Sequence, residues 1–232
     1  MTKKGFIFDL DGVIVDTAKY HFLAWKKLAK SVGVDFTKIQ NEQLKGVSRK
    51  NSLEKILEWG NKTLSEEEFN RLMALKNEDY LSYVENMKED EILPDVPKVL
   101  NYLMSKEQPL ALGSASKNAH TILDKVNLLE KFDAIVDGNG VKKGKPDPEV
   151  FLNAAKLLKL NPDDCIVFED AKAGVEAANA ANMISIGIGE KSVLDEADYV
   201  FKDFTEISLE FLDDIMSNKI SKQTNTNLSI DK

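Results

Sequence analysis

The apolar positions of this chain change rhythm twice. Phe6, Ile7 and Phe8 run together within residues 4–10, as in a strand of a sheet covered on both faces. From residue 18 to about residue 87 they recur at helical spacing, and nothing there alternates as a strand would. The stretch AKYHFLAWKKLAKSVG places Phe22, Trp25, Ala29 and Val32 along one helix, with Gly33 as its stop. SRKNSLEKILEWG puts Leu53, Ile56 and Leu57 on one face and ends at Gly60. In SEEEFNRLMALKNEDYLSYVENM, Ser65 and Glu68 predict a capping box, and the stripe passes through Phe69, Leu72, Leu75 or Lys76, and Tyr83.

Beyond residue 88 short apolar runs return. Residues 110–114, 132–137, 163–170, 183–189 and 197–201 read as strands. Amphipathic helices separate most of them, such as PEVFLNAAKLLKL, entered through Asp147 and Pro148. Strands alternating with helices predict an α/β fold with a doubly wound, Rossmann-like parallel sheet. The economical organisation is one α/β core made of residues 1–17 and 88–216, interrupted after its first strand by a helical insertion over 18–87. Residues 217–232 are polar and aperiodic, and a disordered tail is expected there.

Composition narrows the function classes. At 43% hydrophobic and 30% charged residues the chain is ordinary for a globular protein in water, and no apolar run is long enough to span a bilayer. The lysines of MTKKGFIFDL superficially resemble a secretory leader, but Asp9 and Asp11 interrupt the apolar stretch too early. The single Cys165 cannot form an internal disulfide and reads as buried strand filler. A cytoplasmic, monomeric protein is expected. The net charge of −8 argues against a nucleic-acid partner, yet a locally positive pocket can still bind an anionic small molecule. GNGVKKGKPDP is not a P-loop: its glycine spacing is wrong, and Pro146 stands where Ser or Thr would ligate magnesium.

In an open parallel sheet, chemistry gathers beyond the carboxyl ends of the strands. The first strand delivers Asp9 and Asp11 there, LALGSAS delivers Ser114, and CIVFED delivers Glu169 and Asp170. The loop KGKPDP adds Lys145. Four carboxylates in one crevice repel prohibitively unless a hard divalent cation offsets them, and Mg²⁺ suits such oxygen ligands. With a lysine and a hydroxyl alongside, the set suits phosphoryl transfer, where positioning and charge neutralisation dominate. Asp9, ending the strand, reads as the nucleophile. Asp11, two residues on, reads as the acid and base for the leaving and attacking oxygens.

DLDGVIVDT, GSAS, KGKPDP and FED, in this order, resemble the four motifs of the haloacid dehalogenase superfamily of phosphotransferases. The resemblance spans the α/β part, and the helical insertion is similar to that superfamily's cap domain. It implies Asp9 as nucleophile, Asp11 as acid and base, and a magnesium site from Asp9, the Asp11 carbonyl, Asp170 and Glu169. DTAKYHFLAWKKLA, NEQLKGVSRKNSLEKIL, KNEDY and SASKNA resemble, more narrowly, the branch that isomerises a hexose phosphate. That implies interconversion of β-glucose 1-phosphate and glucose 6-phosphate, primed by β-glucose 1,6-bisphosphate. Such an enzyme holds two phosphates, and Arg49 offers a bidentate guanidinium for the distal one, with Ser116, Lys117 and Asn118 on the core side. Lys76 and Trp25 would approach the sugar, His21 would orient Asp11 or a sugar hydroxyl, and Lys45 and Gly46 belong to the same KGVSR context. Thr17 falls where a hinge would close the cap. Gly113 departs from the pattern, which has alanine before the strand-end serine, and is expected to loosen that loop.

Plainer readings stand beside these. An Asp-x-Asp pair alone is more often a turn, Ser114 can cap a helix, and Arg49 or Lys145 can be solvated. A histidine at position 21 can be a satisfied buried side chain, and Trp25 at helical spacing reads equally as cap core. Two rival functions remain open: a hydrolase of small sugar phosphates, with water as the acceptor, and a non-catalytic sugar-phosphate binding protein.

Overall fold

The computed structural model describes residues 3–223. Strands β1 (Gly5–Phe8), β2 (Leu110–Gly113), β3 (Ala134–Val136), β4 (Cys165–Glu169), β5 (Ile184–Ile188) and β6 (Tyr199–Phe201) form one sheet. Their order is β3-β2-β1-β4-β5-β6, and every neighbouring pair is parallel. This is the doubly wound, Rossmann-like arrangement that the alternation of strands and helices predicts. The chain winds outward from β1 through β2 to β3, then restarts on the other side of β1 at β4. The switch point therefore lies between the ends of β1 and β4.

Successive side chains on a strand point to opposite faces, so each strand feeds two cores. Phe6, Phe8, Leu110, Leu112, Ile166 and Phe168 pack beneath α5 (Val96–Ser105), α6 (Ala119–Lys125) and α9 (Leu209–Met216). Ile7, Ala111, Cys165 and Val167 face α7 (Glu149–Leu158) and α8 (Lys172–Ala180). Cys165 is thus strand filler, as its position implies. The rings of Phe8 and Phe168 stack 4.6 Å apart on the two strands that carry the acids. Burying each such ring contributes about 1.5–3 kcal/mol, so the strand ends project from the best-packed part of the sheet.

Between β1 and α5 lies the insertion: α1 (Ala18–Ser31), α2 (Lys38–Glu42), α3 (Arg49–Trp59) and α4 (Glu66–Val84). Trp25, Leu28, Phe36, Leu53, Ile56 and Leu72 build its own small core. On α4 the buried stripe runs Leu72, Lys76, Tyr80, Val84, a step of four that selects Lys76 over the exposed Leu75. Tyr80 and Val84 join the main core, so the second half of α4 docks on the α/β unit. Only half of the expected capping box forms. Ser65 accepts from the Glu68 N–H, while the Glu68 carboxylate is bound instead by Arg71 at 2.6 and 2.8 Å. A full box occurs at Thr37 and Gln40, opening α2.

The chain enters and leaves the insertion along neighbouring paths. Val15 pairs antiparallel with Ile92, Leu93 N–H donates to Ile14 O at 3.0 Å, and Asp16 N–H donates to Glu91 O at 3.1 Å. At the other end, the expected disordered tail begins too early at 217. Tyr199 Oη donates to Ser221 O at 2.8 Å, Lys222 Nζ donates to Met183 O at 2.9 Å, and Gln223 N–H donates to Asp198 Oδ1 at 2.8 Å. These bonds use backbone atoms and polar tips, which leave no hydrophobic period to read. The rest of that expectation, 224–232, lies outside the described residues. No helix among the described residues is long and apolar enough to cross a membrane.

Candidate active site

The switch point between β1 and β4 gathers the acids the sequence places at strand ends. Asp9 follows β1 and is 5% exposed; Glu169 closes β4 and is fully buried. Lys145 sits between them, donating to Asp9 Oδ1 at 2.6 Å and to Glu169 Oε1. The other oxygens are also engaged: Asp9 Oδ2 accepts from Asp11 N–H at 3.1 Å, and Glu169 Oε2 from Ala171 N–H at 2.9 Å. The Lys145 ammonium lies 4.8 Å from the centre of the Phe151 ring. Burial opposes its charge, yet Asp9 and Glu169 raise it above the ordinary lysine value and keep it cationic. Glu169 is raised by burial, with Lys145 pulling the other way.

Asp170 is held differently. Its Oδ2 lies 3.3 Å from Lys45 Nζ, which also reaches Glu42 at 2.9 Å. Burial and the Glu169 charge push the Asp170 carboxyl well above its usual range. Two glycines make room for these acids. A Cβ on Gly12, whose φ is +84°, would fall 2.2 Å from Asp170 Oδ2, and one on Gly174 would fall 1.9 Å from the Glu169 carboxylate carbon. Asp9, Glu169 and Asp170 each offer an oxygen within 4.8 Å of the others. Three carboxylates this close, kept crowded by missing side chains and with Asp170 out of reach of Lys145, fit a hard divalent cation.

Asp11 faces the insertion. Burial first, then Asp9, raises its carboxyl to about 6, although solvent still reaches 28% of the side chain. Thr17 donates its hydroxyl proton to Asp11 Oδ1, and His21 Nε2 lies 3.9 Å from the same oxygen. Thr17 occupies the N-cap position of α1 with φ −101° and ψ −1°, not the extended backbone of a capping residue, and makes no side-chain cap bond; its hydroxyl turns to Asp11 instead. Lys76 Nζ lies 3.0 Å from His21 Nδ1 and above the rings of Trp25 (4.6 Å) and Tyr80 (4.7 Å). Burial, then Arg49, lowers Lys76 to about 7, and burial, then Lys76 and Arg49, keep His21 well below its usual value. Arg49, at the start of α3, makes no ion pair among the described residues.

The remaining sequence candidates divide. Ser114, 1% exposed, accepts from Ser116 N–H at 3.1 Å and is not a helix cap, since α6 begins only at Ala119. Asn118 donates to Asn77 Oδ1 of α4 at 2.9 Å, tying the core loop to the insertion, while Lys117 is exposed. Gly46, with φ +68°, lets the KGVSR loop approach Ala171; an added Cβ would meet that residue's Cβ at 3.1 Å. Trp25 lies in the insertion's own core, and its ring lies under Lys76 Nζ. The expected loosening at Gly113 is absent: the space an alanine Cβ would take is filled by the Phe151 ring at 2.9 Å. A cleft of ≈ 830 Å³ opens on the Asp170 side, lined by Gly12, Lys45, Val47, Ala171 and Gly189, and does not extend to Ser114, Arg49 or Lys76. Sequence reasoning gave no role to Asn77 and Tyr80, although the KNEDY motif contains both, and passed over Phe151; Gly12 and Gly174 beside the acids could have been suspected.

A parallel sheet whose switch point packs a buried lysine between two carboxylates with a third close by, beneath a helical insertion carrying its own cations, defines an α/β enzyme core for anionic substrates. The chain belongs to the haloacid dehalogenase-like hydrolases, whose family pattern matches residues 3–182. It is 41% identical to the β-phosphoglucomutase of Bacillus subtilis (strain 168) over 211 residues, 90% of this chain and 93% of that protein. The crystal structure of β-phosphoglucomutase from Clostridium difficile superposes with a TM-score of 0.90 at 43% identity, covering 94% of this chain and 99% of that one. A phosphorylated carbohydrates phosphatase of Thermotoga maritima is 34% identical over 179 residues, 76% of this chain and 81% of that protein.

Proposed function

We propose that this enzyme interconverts β-glucose 1-phosphate and glucose 6-phosphate through β-glucose 1,6-bisphosphate. The observation that carries the reading is the pair Arg49 and Lys76. Both are drawn from the insertion, both are pushed toward neutrality by burial, and neither has a carboxylate partner among the described residues. Two neighbouring like charges, one of them beside Asp11, are complementary to a second phosphate or its sugar, which a plain hydrolase has no need to hold. Likeness to two β-phosphoglucomutases over nearly the whole chain supports it.

In the proposed cycle a phosphorylated Asp9 passes its phosphoryl group to the sugar O6, and Asp11 takes the hydroxyl proton. The bisphosphate turns over, Asp9 attacks phosphorus at the C1 end, the P–O1 bond breaks, and Asp11 returns the proton to O1. Lys145 holds Asp9 and offsets charge on the phosphoryl oxygens, with the Ser114 hydroxyl donating to one of them. Glu169, both oxygens engaged, anchors Lys145 and the turn into α8. A bound Mg²⁺ would be held by Asp9, Asp170, the Asp11 carbonyl and Glu169, and would supply charge neutralisation. Arg49, Ser116, Lys117 and Asn118 would bind the distal phosphate, His21 and Lys76 the sugar, and the insertion would exclude water.

A sugar-phosphate phosphatase is the second reading, favoured by the likeness to the Thermotoga maritima protein. Incubation with β-glucose 1-phosphate, Mg²⁺ and a trace of the bisphosphate separates them: glucose 6-phosphate is expected, and release of inorganic phosphate alone would establish the phosphatase. Asp9→Asn should give neither product. Arg49→Ala should lower kcat/KM for isomerisation about a hundredfold; an unchanged value would remove the main support for a mutase.

A further inference from the structure

Tyr80 presents chemistry that the cycle above does not use. It stands on α4 where the insertion meets the core, 1% exposed, and its hydroxyl has no hydrogen-bond partner among the described residues. A phenol buried this way is a worse choice than phenylalanine unless some state of the protein satisfies it. The ring is pinned: the His21 ring lies 4.3 Å from it and Lys76 Nζ 4.7 Å from its centre. The groups around its hydroxyl are the Asp11 carboxylate, the Thr17 hydroxyl, the Arg49 guanidinium and the Tyr20 phenol. A guanidinium cannot accept, and the Tyr20 phenol is turned to Glu91 at 2.7 Å; of the remaining acceptors, Thr17 and Asp11, Thr17 is the one placed for a hydrogen bond with Tyr80.

Thr17 is the complement. Its proton goes to Asp11, it makes no side-chain cap bond at the start of α1, and its oxygen receives no donor among the described residues. A buried donor without an acceptor thus stands beside a buried acceptor without a donor. We propose that Tyr80 is a positioning residue for Asp11: with substrate bound, its hydroxyl donates to Thr17 Oγ1, which directs the Thr17 proton onto Asp11 and fixes that carboxyl toward the oxygen it serves. This rests on the proposed role of Asp11 as acid and base. Burial and the Asp11 charge raise the phenol well above its ordinary value, so it stays a donor at working pH.

Tyr80→Phe keeps the ring and removes the oxygen. With β-glucose 1-phosphate, whose alkoxide must be protonated to leave, kcat should fall roughly tenfold with KM within about twofold of wild type. With p-nitrophenyl phosphate, whose phenolate leaves unaided, the loss should stay below about twofold. In a Thr17→Val background, Tyr80→Phe should add nothing further. Equal losses on both esters, no loss on the sugar ester, or additive losses with Thr17→Val would each overturn the proposal. Should the wild type cleave the aryl ester but not isomerise the sugar, the mutase reading fails while glycerol phosphate takes the sugar's place in the comparison. A crystal structure grown with Mg²⁺ and glucose 6-phosphate reads the same point without turnover: Tyr80 Oη within about 3.2 Å of Thr17 Oγ1 supports the role, and a wider gap refutes it.

Discussion

Lys76 is a cation with aromatic faces and no ion-pair partner among the described residues. Its ammonium rests over Trp25 and Tyr80 and against His21, and burial with Arg49 nearby brings its value from 10.5 to about 7. The unfolded chain keeps that lysine protonated up to about 10.5, so between 7 and 10.5 the unfolded state binds more protons and stability rises with pH. Below 7 both states are charged and the full penalty of burial is felt. Lys76→Met should therefore be more stable than wild type at pH 6, with the advantage shrinking by on the order of 2 kcal/mol by pH 9. Urea melts of ligand-free protein at the two pH values check this, and a constant difference would mean that Lys76 does not titrate in that window. A position so expensive in the free enzyme, and so near Asp11, is consistent with a site for anions rather than a structural lysine.

At the scale of elements, the join of β4 to α8 shows how closely backbone and site are matched. Gly174 lies one turn into α8, where alanine would ordinarily gain about 1 kcal/mol of helix propensity. Here the added Cβ would land on the Glu169 carboxylate and drive it from Lys145 and from the Ala171 N–H. Gly174→Ala should cost about 3 kcal/mol, the size expected when a buried ion pair is broken. Gly140→Ala, whose Cβ would find nothing nearer than 3.6 Å, is the control expected to be near neutral. Denaturant midpoints of the two variants compare them. The sequence declares these strands because two-sided burial leaves uninterrupted runs such as FIFD and CIVFE, and it declares the acids because they follow those runs directly. It is silent on which acid binds which cation. Lys145 going to Asp9 and Glu169, and Lys45 to Asp170, follow from strand order and from a loop of the insertion more than a hundred residues away in the chain. The short α2 has no apolar period to betray it; only the Thr37 and Gln40 spacing does.

For the whole molecule, the polar segment after α9 acts as a clasp. Its bonds to Tyr199, Met183 and Asp198 hold β5 and β6 together from outside the sheet. Ending the chain after Met216 should lower stability by about 2 kcal/mol, a fall in Tm of roughly 5 °C, while leaving turnover intact, because those contacts do not touch the acids. Calorimetry with a parallel activity assay would show it. The same scale governs the insertion, which meets the core through Asn118 and Asn77, through Lys45 and Asp170, and through Tyr80. Its two tethers run side by side, laced by the Val15 and Ile92 pairing and by the bonds at Ile14 and Asp16. Two antiparallel straps stitched to each other oppose twisting of the insertion on the core. Joined in this way, the tethers brace the start of α1, where the Thr17 hydroxyl meets Asp11, against torsion of the insertion.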